Sequence, residues 1–304
     1  MMKKTIIFDG SNLLHRCYWV HSVRRNVSVS QLFLASMKKC TNMFAADQVV
    51  CVWDARKRYS EQNYRHITSN GAYKQTRDKD KNTKVYSFID EVQEISSPLG
   101  IAHLNPGILE ADDFIYWLCN NIDDYKTVVS SDGDLLQLIN DTCDVYNPIV
   151  NKLITTETFE ETTGVPDIRS YITYKSLIGD KSDNIPGLEG VGPKRAKQIL
   201  ERGVDKLSKE NKELLEHNIH LIDLAIGPHR HPEEEDWYEE EWNNKKQPPK
   251  DFSKFKQLCI ENNLFAITNK LAEWKSVFDK TQSIENIVAK LIKINEGTLS
   301  KLDD

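Results

Sequence analysis

Short apolar runs recur along the first half of the chain, and most of them stop at an acid or a turn. Residues 4–9 (KTIIFD) end at Asp9-Gly10, residues 49–54 (VVCVWD) at Asp54, and residues 126–131 (KTVVSS) at Asp132. A fourth run, 101–104, meets Asn105-Pro106-Gly107, and a fifth lies at 143–147. Runs this short, rich in β-branched residues and closed by turn formers, predict buried strands. Between them, residues 30–46, 85–99 and 110–122 carry apolar side chains at helical spacing. Strands alternating with helices predict an α/β fold: a mostly parallel central sheet flanked by helices. From residue 167 onward the pattern becomes helical, with segments at 167–178 and 193–202 and further helices towards the end. Two stretches lack an apolar stripe. Residues 56–84 are basic and aromatic, and residues 228–250 are rich in Pro, Glu and Lys, which predicts an exposed, mobile excursion.

The acids add chemistry to this pattern. In a parallel sheet, ligands bind beyond the carboxyl ends of the strands, where Asp9, Asp54 and Asp132 all fall. Glu110, Asp112 and Asp113 open a helix, Asp134 follows Asp132, and Asp180 and Asp183 lie in GDKSDN. Any one of these would pass for a solvated loop acid or first-turn charge favoured by the helix dipole. Together they form an oxygen-only donor set of the kind hard divalent ions select, Mg²⁺ or Mn²⁺ rather than zinc. Like charges gathered in one place need such a counter-ion, and a pair of divalent ions would clamp a phosphodiester. Glu110 and Asp112 are two residues apart and cannot share one face of a regular helix. Glu110 is therefore expected at or before the helix start, with Asp112 reaching the same ions from the first turn.

Composition narrows the classes. The chain has 304 residues, enough for one large domain or two. No apolar run reaches the ~18 residues of a membrane helix, and the amino-terminal run is too short for a secretory core. Six cysteines without CxxC spacing fit a reducing compartment and give no zinc site. The net charge of −6 hides local asymmetry. Residues 56–84 hold nine Lys/Arg against three Asp/Glu, and residues 194–212 hold seven against three. Acid collects elsewhere, above all in EEEDWYEEE at 233–241. Local patches, not the sum, decide where a polyanion docks.

In the first basic stretch, Lys74 and Arg77 are three apart and would face one way on a helix. Tyr59, Tyr64 and Tyr73 alternate with the basic residues, a pattern that can track a single strand by stacking. In the second, Gly190-Val191-Gly192 precedes Pro193, a favourable first helical residue, with Lys194 and Arg195 next. Such a helix start presents amides and positive charge to phosphate.

The motifs IIFDGSNLLHR, LEADDFIYWL, SSDGDLLQLI and LIGDKSDNIPGLEGVGPKRAKQIL together resemble the 5′ nuclease superfamily of flap endonucleases, phage 5′–3′ exonucleases and the 5′-nuclease domain of DNA polymerase I. The resemblance runs over about residues 5–225. It implies a PIN-like α/β nuclease domain over 1–165, with a helical arch at about 55–107. A helical region over 166–304 would carry a helix–hairpin–helix at about 167–202. It implies Asp9, Asp54, Glu110 and Asp112 as ligands of a first metal and Asp132, Asp134, Asp180 and Asp183 of a second, with Asp113 nearby. Lys74 and Arg77 would orient the scissile phosphate, and Tyr73 would stack on a base beside the cut. Arg16, Lys175, Gly190, Gly192, Lys194 and Arg195 would contact DNA.

The implied cofactors are two Mg²⁺ replaceable by Mn²⁺, with K⁺ at the hairpin. The implied substrate is branched or flapped DNA, extending to RNA–DNA hybrid. A cytoplasmic monomer working with replication proteins and without a membrane is the expected setting. The acidic run at 233–241 has no counterpart in the resemblance. Two rival readings are a module that binds branched DNA without cutting, disfavoured by the presence of Asp9, Asp54, Glu110 and Asp112, and a PIN-type ribonuclease, disfavoured by residues 187–195.

Overall fold

The computed structural model describes residues 2–24, 26–55, 63–76 and 79–279. Six strands make one sheet: β1 (Lys4–Asp9), β2 (Gln48–Val52), β3 (Ile101–Leu104), β4 (Tyr125–Val129), β5 (Cys143–Asn147) and β6 (Lys152–Ile154). Their order is β3-β2-β1-β4-β5-β6, parallel except for the last pair. The chain leaves β1 for β2 on one side and later returns to add β4 on the other. The point where the strand order reverses therefore lies at the end of β1, which is Asp9.

The apolar runs alternate between two cores, as a pleated strand requires. Ile6, Phe8, Val49, Cys51 and Val129 face one side, while Ile7, Val50, Val52 and Val128 face the other. The first core is covered by α1 (Gly10–Val23), α2 (Val29–Met43) and α5 (Ile89–Ser96), which follows α3 (Tyr64–Thr68) and α4 (Lys79–Tyr86). The second is covered chiefly by α6 (Ala111–Asn121) and reached by α7 (Phe159–Thr163) and α8 (Ile168–Ile178). Beyond α8 come α9 (Pro193–Arg202), α10 (Lys209–Ile222), α11 (Ile226–Arg230), α12 (Pro232–Lys245), α13 (Phe252–Glu261), α14 (Phe265–Thr268) and α15 (Leu271–Phe278). Among the described residues no helix is long and apolar enough to cross a membrane.

Two expectations change. Residues 85–99 do not form one helix, because the chain turns at Ser87-Phe88 between α4 and α5. Tyr86 meets His15 edge-on at 5.5 Å, and Phe88 meets Tyr18 at 6.1 Å. Side chains two apart cannot both reach α1 from a continuous helix. The acid-rich excursion is a helix, α12, with Glu234, Tyr238 and Trp242 buried at i, i+4, i+8. Tyr238 stacks on Phe114 of α6 at 4.2 Å. The last helices pack onto the sheet: Phe255, Leu264, Trp274 and Phe278 belong to the same core as Phe8 and Phe33.

Candidate active site

Each acid is placed by the local structure its neighbours dictate. Asp9 ends β1 and caps α1, its Oδ1 accepting from the Asn12 amide at 3.0 Å and its Oδ2 from Ser130 Oγ at 2.9 Å. Asp54 lies two residues past β2, and its Oδ1 accepts from the Ala111 amide at 3.2 Å. Glu110 is the N-cap of α6, with Asp112 and Asp113 in its first turn, as the two-residue spacing required. Asp132 follows β4 and accepts from the Asp134 amide at 2.9 Å. That loop is tied to α8 by Tyr171, whose hydroxyl donates to the Gly133 carbonyl at 3.0 Å.

After α8 the chain forms a small ribbon, β7 (Gly179–Asp180) paired antiparallel with β8 (Ile185–Pro186), and Asp180 and Asp183 sit within it. Asp9, Asp54, Glu110, Asp112 and Asp132, with Ser11, Asn12, His15, Lys74, Tyr86 and Ser182, line a cleft of about 360 Å³. A larger groove, about 650 Å³, opens between α6, α8 and α10, but among the described residues Asp223 is its one acid and no carboxylates converge there.

Burial and mutual repulsion set the electrostatics. Burial pushes the Asp9 carboxyl up to about 7, opposed by the Asn12 amide and reinforced by Asp54 and Asp132. Burial raises Asp134 to about 6 against the pull of Lys175. Asp112 is held well above the carboxylate range by burial, with Arg65 opposing and Asp113 and Glu110 reinforcing the rise. At Asp180 burial is the largest single influence and raises the carboxyl, but Ser182 and Lys175 together outweigh it and hold it low.

The protein supplies cations of its own. Lys74 Nζ lies 2.5 Å from Glu110 Oε1 and 3.7 Å from Asp183. Lys175 Nζ lies 2.8 Å from Asp134 and 3.0 Å from Asp180. Arg65, 1 % exposed, grips both oxygens of Asp113 at 2.6 and 2.8 Å and donates to the Leu221 carbonyl at 3.1 Å.

As they stand, no three acidic, imidazole or thiol groups among the described residues converge closely enough to hold one ion. The donor chemistry nonetheless fits a hard divalent cation: the set is oxygen only and crowded, and burial raises Asp9, Asp112 and Asp134 within it. The acids named for the two metals are brought to one sheet edge, with Asp9, Asp54, Glu110, Asp112 and Asp132 around the cleft and Asp134, Asp180 and Asp183 joined to it through Lys175 and Lys74.

Several expected roles change. Asp113 is fully buried and both its oxygens are committed, to Arg65 and to the Glu110 amide at 3.1 Å, so it holds the helix start rather than facing an ion. Tyr73 is 4 % exposed, and its hydroxyl donates to Glu110 at 2.9 Å and Asp183 at 3.0 Å, so its ring is not available for stacking on a base. Lys74 occupies a turn with φ +53°, not a helix, and its amide donates to the Asp183 carbonyl at 2.9 Å. Arg77 lies outside the described residues, as do residues 56–62 of the same basic stretch. Lys175 points to acids rather than to open surface. Arg16 is half-buried on α1.

Gly190 has φ +69°, a conformation that favours glycine. Gly192 caps α9 over open space, and Lys194 and Arg195 are exposed. These four do not line the cleft. Sequence reasoning missed Arg65, for which no local pattern speaks. It also missed the Tyr73 clasp between the basic stretch and the ribbon.

A sequence model of the 5′-3′ exonuclease N-terminal resolvase-like domain matches residues 4–164, more than half the chain. The chain belongs to the 5′-3′ exonuclease family. As a family member it is 34% identical over 212 residues to the 5′-3′ exonuclease of Bacillus subtilis, covering 65% of this chain and 69% of the relative. It is 31% identical over 215 residues to DNA polymerase I of Treponema pallidum, where the match spans 65% of this chain but 21% of the polymerase. The bacteriophage T5 D15 protein co-crystallised with metal ions shares the fold, with a TM-score of 0.65 at 20% identity over 79% of this chain and 99% of the phage protein. This exonuclease is thus a 5′ nuclease on the family's α/β scaffold.

The raised acids predict a pH signature for the metal-free exonuclease. Folded Asp9 keeps its proton to about pH 7, whereas an unfolded aspartate loses it near pH 4. The stability Asp9 contributes is therefore complete below pH 4 and lost as pH rises through 7. In EDTA, Asp9→Asn should be no less stable than wild type at pH 4 and should outlast it by roughly 3–4 kcal/mol at pH 8. Urea denaturation of both chains at several pH values measures this, and a pH-independent gap would contradict it.

Proposed function

We propose that this exonuclease is a divalent-metal-dependent, structure-specific nuclease that cleaves DNA near junctions of single and double strand, releasing 5′ flaps and short 5′ products. The observation that carries the reading is the convergence of Asp9, Asp54, Glu110, Asp112 and Asp132 on one cleft at the point where strand order reverses. Asp9, Asp54, Glu110 and Asp112 would hold one ion, and Asp132, Asp134, Asp180 and Asp183 the other, with Mg²⁺ the natural choice and Mn²⁺ a substitute. Two such ions supply charge stabilisation for both the attacking and the leaving oxygen of a phosphodiester.

The chain's own residues do the rest. Lys74, on the rim of that cleft, and Arg77 offset charge gathering on the phosphate. The helix start at Gly190–Arg195 would grip duplex backbone, with K⁺ as the ion held there, and Arg16 would add a contact nearer the cleft. Lys175 orders Asp134 and Asp180 instead of touching DNA directly. RNA–DNA primers are a second substrate, and the protein acts as a monomer in the cytoplasm beside replication proteins.

The test is incubation with a 5′-labelled flap, a nicked duplex and an RNA–DNA hybrid, each with Mg²⁺ and with EDTA. Labelled short products from the flap, present with Mg²⁺ and absent with EDTA, are expected. No metal-dependent product from any substrate would overturn the reading. Products from the hybrid alone would make the protein a ribonuclease.

A further inference from the structure

The acidic helix α12 is built against the loop that delivers two of the cleft acids. Five successive backbone amides, from residue 107 to residue 111, each donate to a carboxylate. Glu234 takes the first three, from Gly107 at 3.0 Å, Ile108 at 2.9 Å and Leu109 at 3.4 Å. Asp113 takes that of Glu110 and Asp54 that of Ala111. Such a run of amides at a helix start is a concavity for an anion, and here three of the five are taken by a side chain at least 125 residues away. Glu234 is 3 % exposed amid exposed Glu233, Glu235, Glu239 and Glu240, so its place is not one of solvation. The loop is shaped to admit it, since a Cβ on Gly107 would collide with the Glu234 carboxylate.

The same helix makes two further bonds to the loop. Trp237 Nε1 donates to the Asn105 carbonyl at 2.9 Å, and Glu241 Oε1 accepts from the Asn105 amide at 3.2 Å. Asn105 in turn donates through its side chain to the Asp54 carbonyl at 3.3 Å.

We propose that Glu234 is a positioning residue of the nuclease: by binding the amides of residues 107–109 it fixes the backbone from which Glu110 and Asp112 face the cleft. The role rests on the metal-dependent reading of that cleft. Without Glu234, three amides at the edge of the second core lose their acceptor, and the backbone leading into Glu110 must shift to find another. Partners that orient metal ligands in this way typically change metal affinity by about 10–100-fold when removed.

The test uses the full chain and Mn²⁺ alone as probe, with binding followed by the free-ion electron paramagnetic resonance signal and cleavage followed on a labelled flap. Glu234→Gln keeps the size but offers one acceptor oxygen in place of two, with an amide group facing the backbone donors. It should bind Mn²⁺ about tenfold or more weakly, and kcat should fall while the half-saturating flap concentration stays within about twofold. Glu240→Gln, exposed on the same helix, should leave both unchanged. Trp237→Phe, which removes one bond from a half-exposed side chain, should weaken Mn²⁺ binding by a smaller factor and decides the matter should Glu234→Gln fail to fold.

Wild-type Mn²⁺ affinity and kcat in folded Glu234→Gln, or in Trp237→Phe where that variant decides, would overturn the positioning role alone. A wild-type chain that binds no Mn²⁺ would overturn the metal reading and this role with it.

Discussion

An Arg65→Met chain should unfold about 3–5 kcal/mol more readily than wild type, the cost of leaving one member of a buried ion pair without its partner. Arg65 and Asp113 are 1 % and 0 % exposed and meet through two short parallel bonds, the geometry in which guanidinium and carboxylate bind best. Methionine fills much of the volume, so the loss reports on charge rather than on a cavity. Adding Asp113→Leu should recover part of the loss, because the buried charge is then gone. Recovery should stop short of wild type, since the Glu110 amide loses its acceptor and the helix its capping box. Urea denaturation of the three chains measures each step. A loss below about 1 kcal/mol in Arg65→Met would mean that the pair is solvated and its burial immaterial.

Lys74→Ala should lower the single-turnover cleavage rate by about 10²-fold or more, the scale on which one preorganised charge acts on a transition state. Flap affinity should change far less, because many phosphate contacts share that energy. The ammonium also lies against Glu110 and near Asp183, so its removal takes positive charge away from acids proposed to bind metal. Mn²⁺ affinity should therefore hold or rise while the rate falls. That divergence separates a group acting on phosphate from one that merely orders Glu110. A rate within about threefold of wild type, with Mn²⁺ affinity altered, would leave Lys74 as a counter-ion and no more.

The sheet was legible because its strands are buried on both faces, which forces uninterrupted apolar runs, and because each run leading to Asp9, Asp54 or Asp132 ends in a polar turn. Glu110 was legible as a helix cap for a similar reason: a two-residue spacing cannot serve one face of one helix. The rest depended on partners far along the chain. Arg65 reads as one more basic residue until Asp113, 48 positions later, is seen to hold it. Tyr73 reads as a stacking aromatic until Ile185, Leu221 and Ile222 close over it. Residues 228–250 were misjudged because nine consecutive positions of mostly acid masked a stripe of Glu234, Tyr238 and Trp242 at helical spacing. Composition averages over faces, whereas a helix keeps them apart.

The distance along the chain between Glu234 and the amides it binds also has a consequence for synthesis. A nascent chain that has reached residue 200 already contains every acid lining the cleft, in a sheet whose strands are complete by residue 154. It still lacks the segment that holds residues 107–109, and closing a loop of more than a hundred residues must wait for that segment to emerge. Every acid of this cleft is thus synthesised before the segment that holds residues 107–109, and a chain stopped near residue 200 would carry them without Glu234 and without the first-core residues Phe255, Leu264, Trp274 and Phe278.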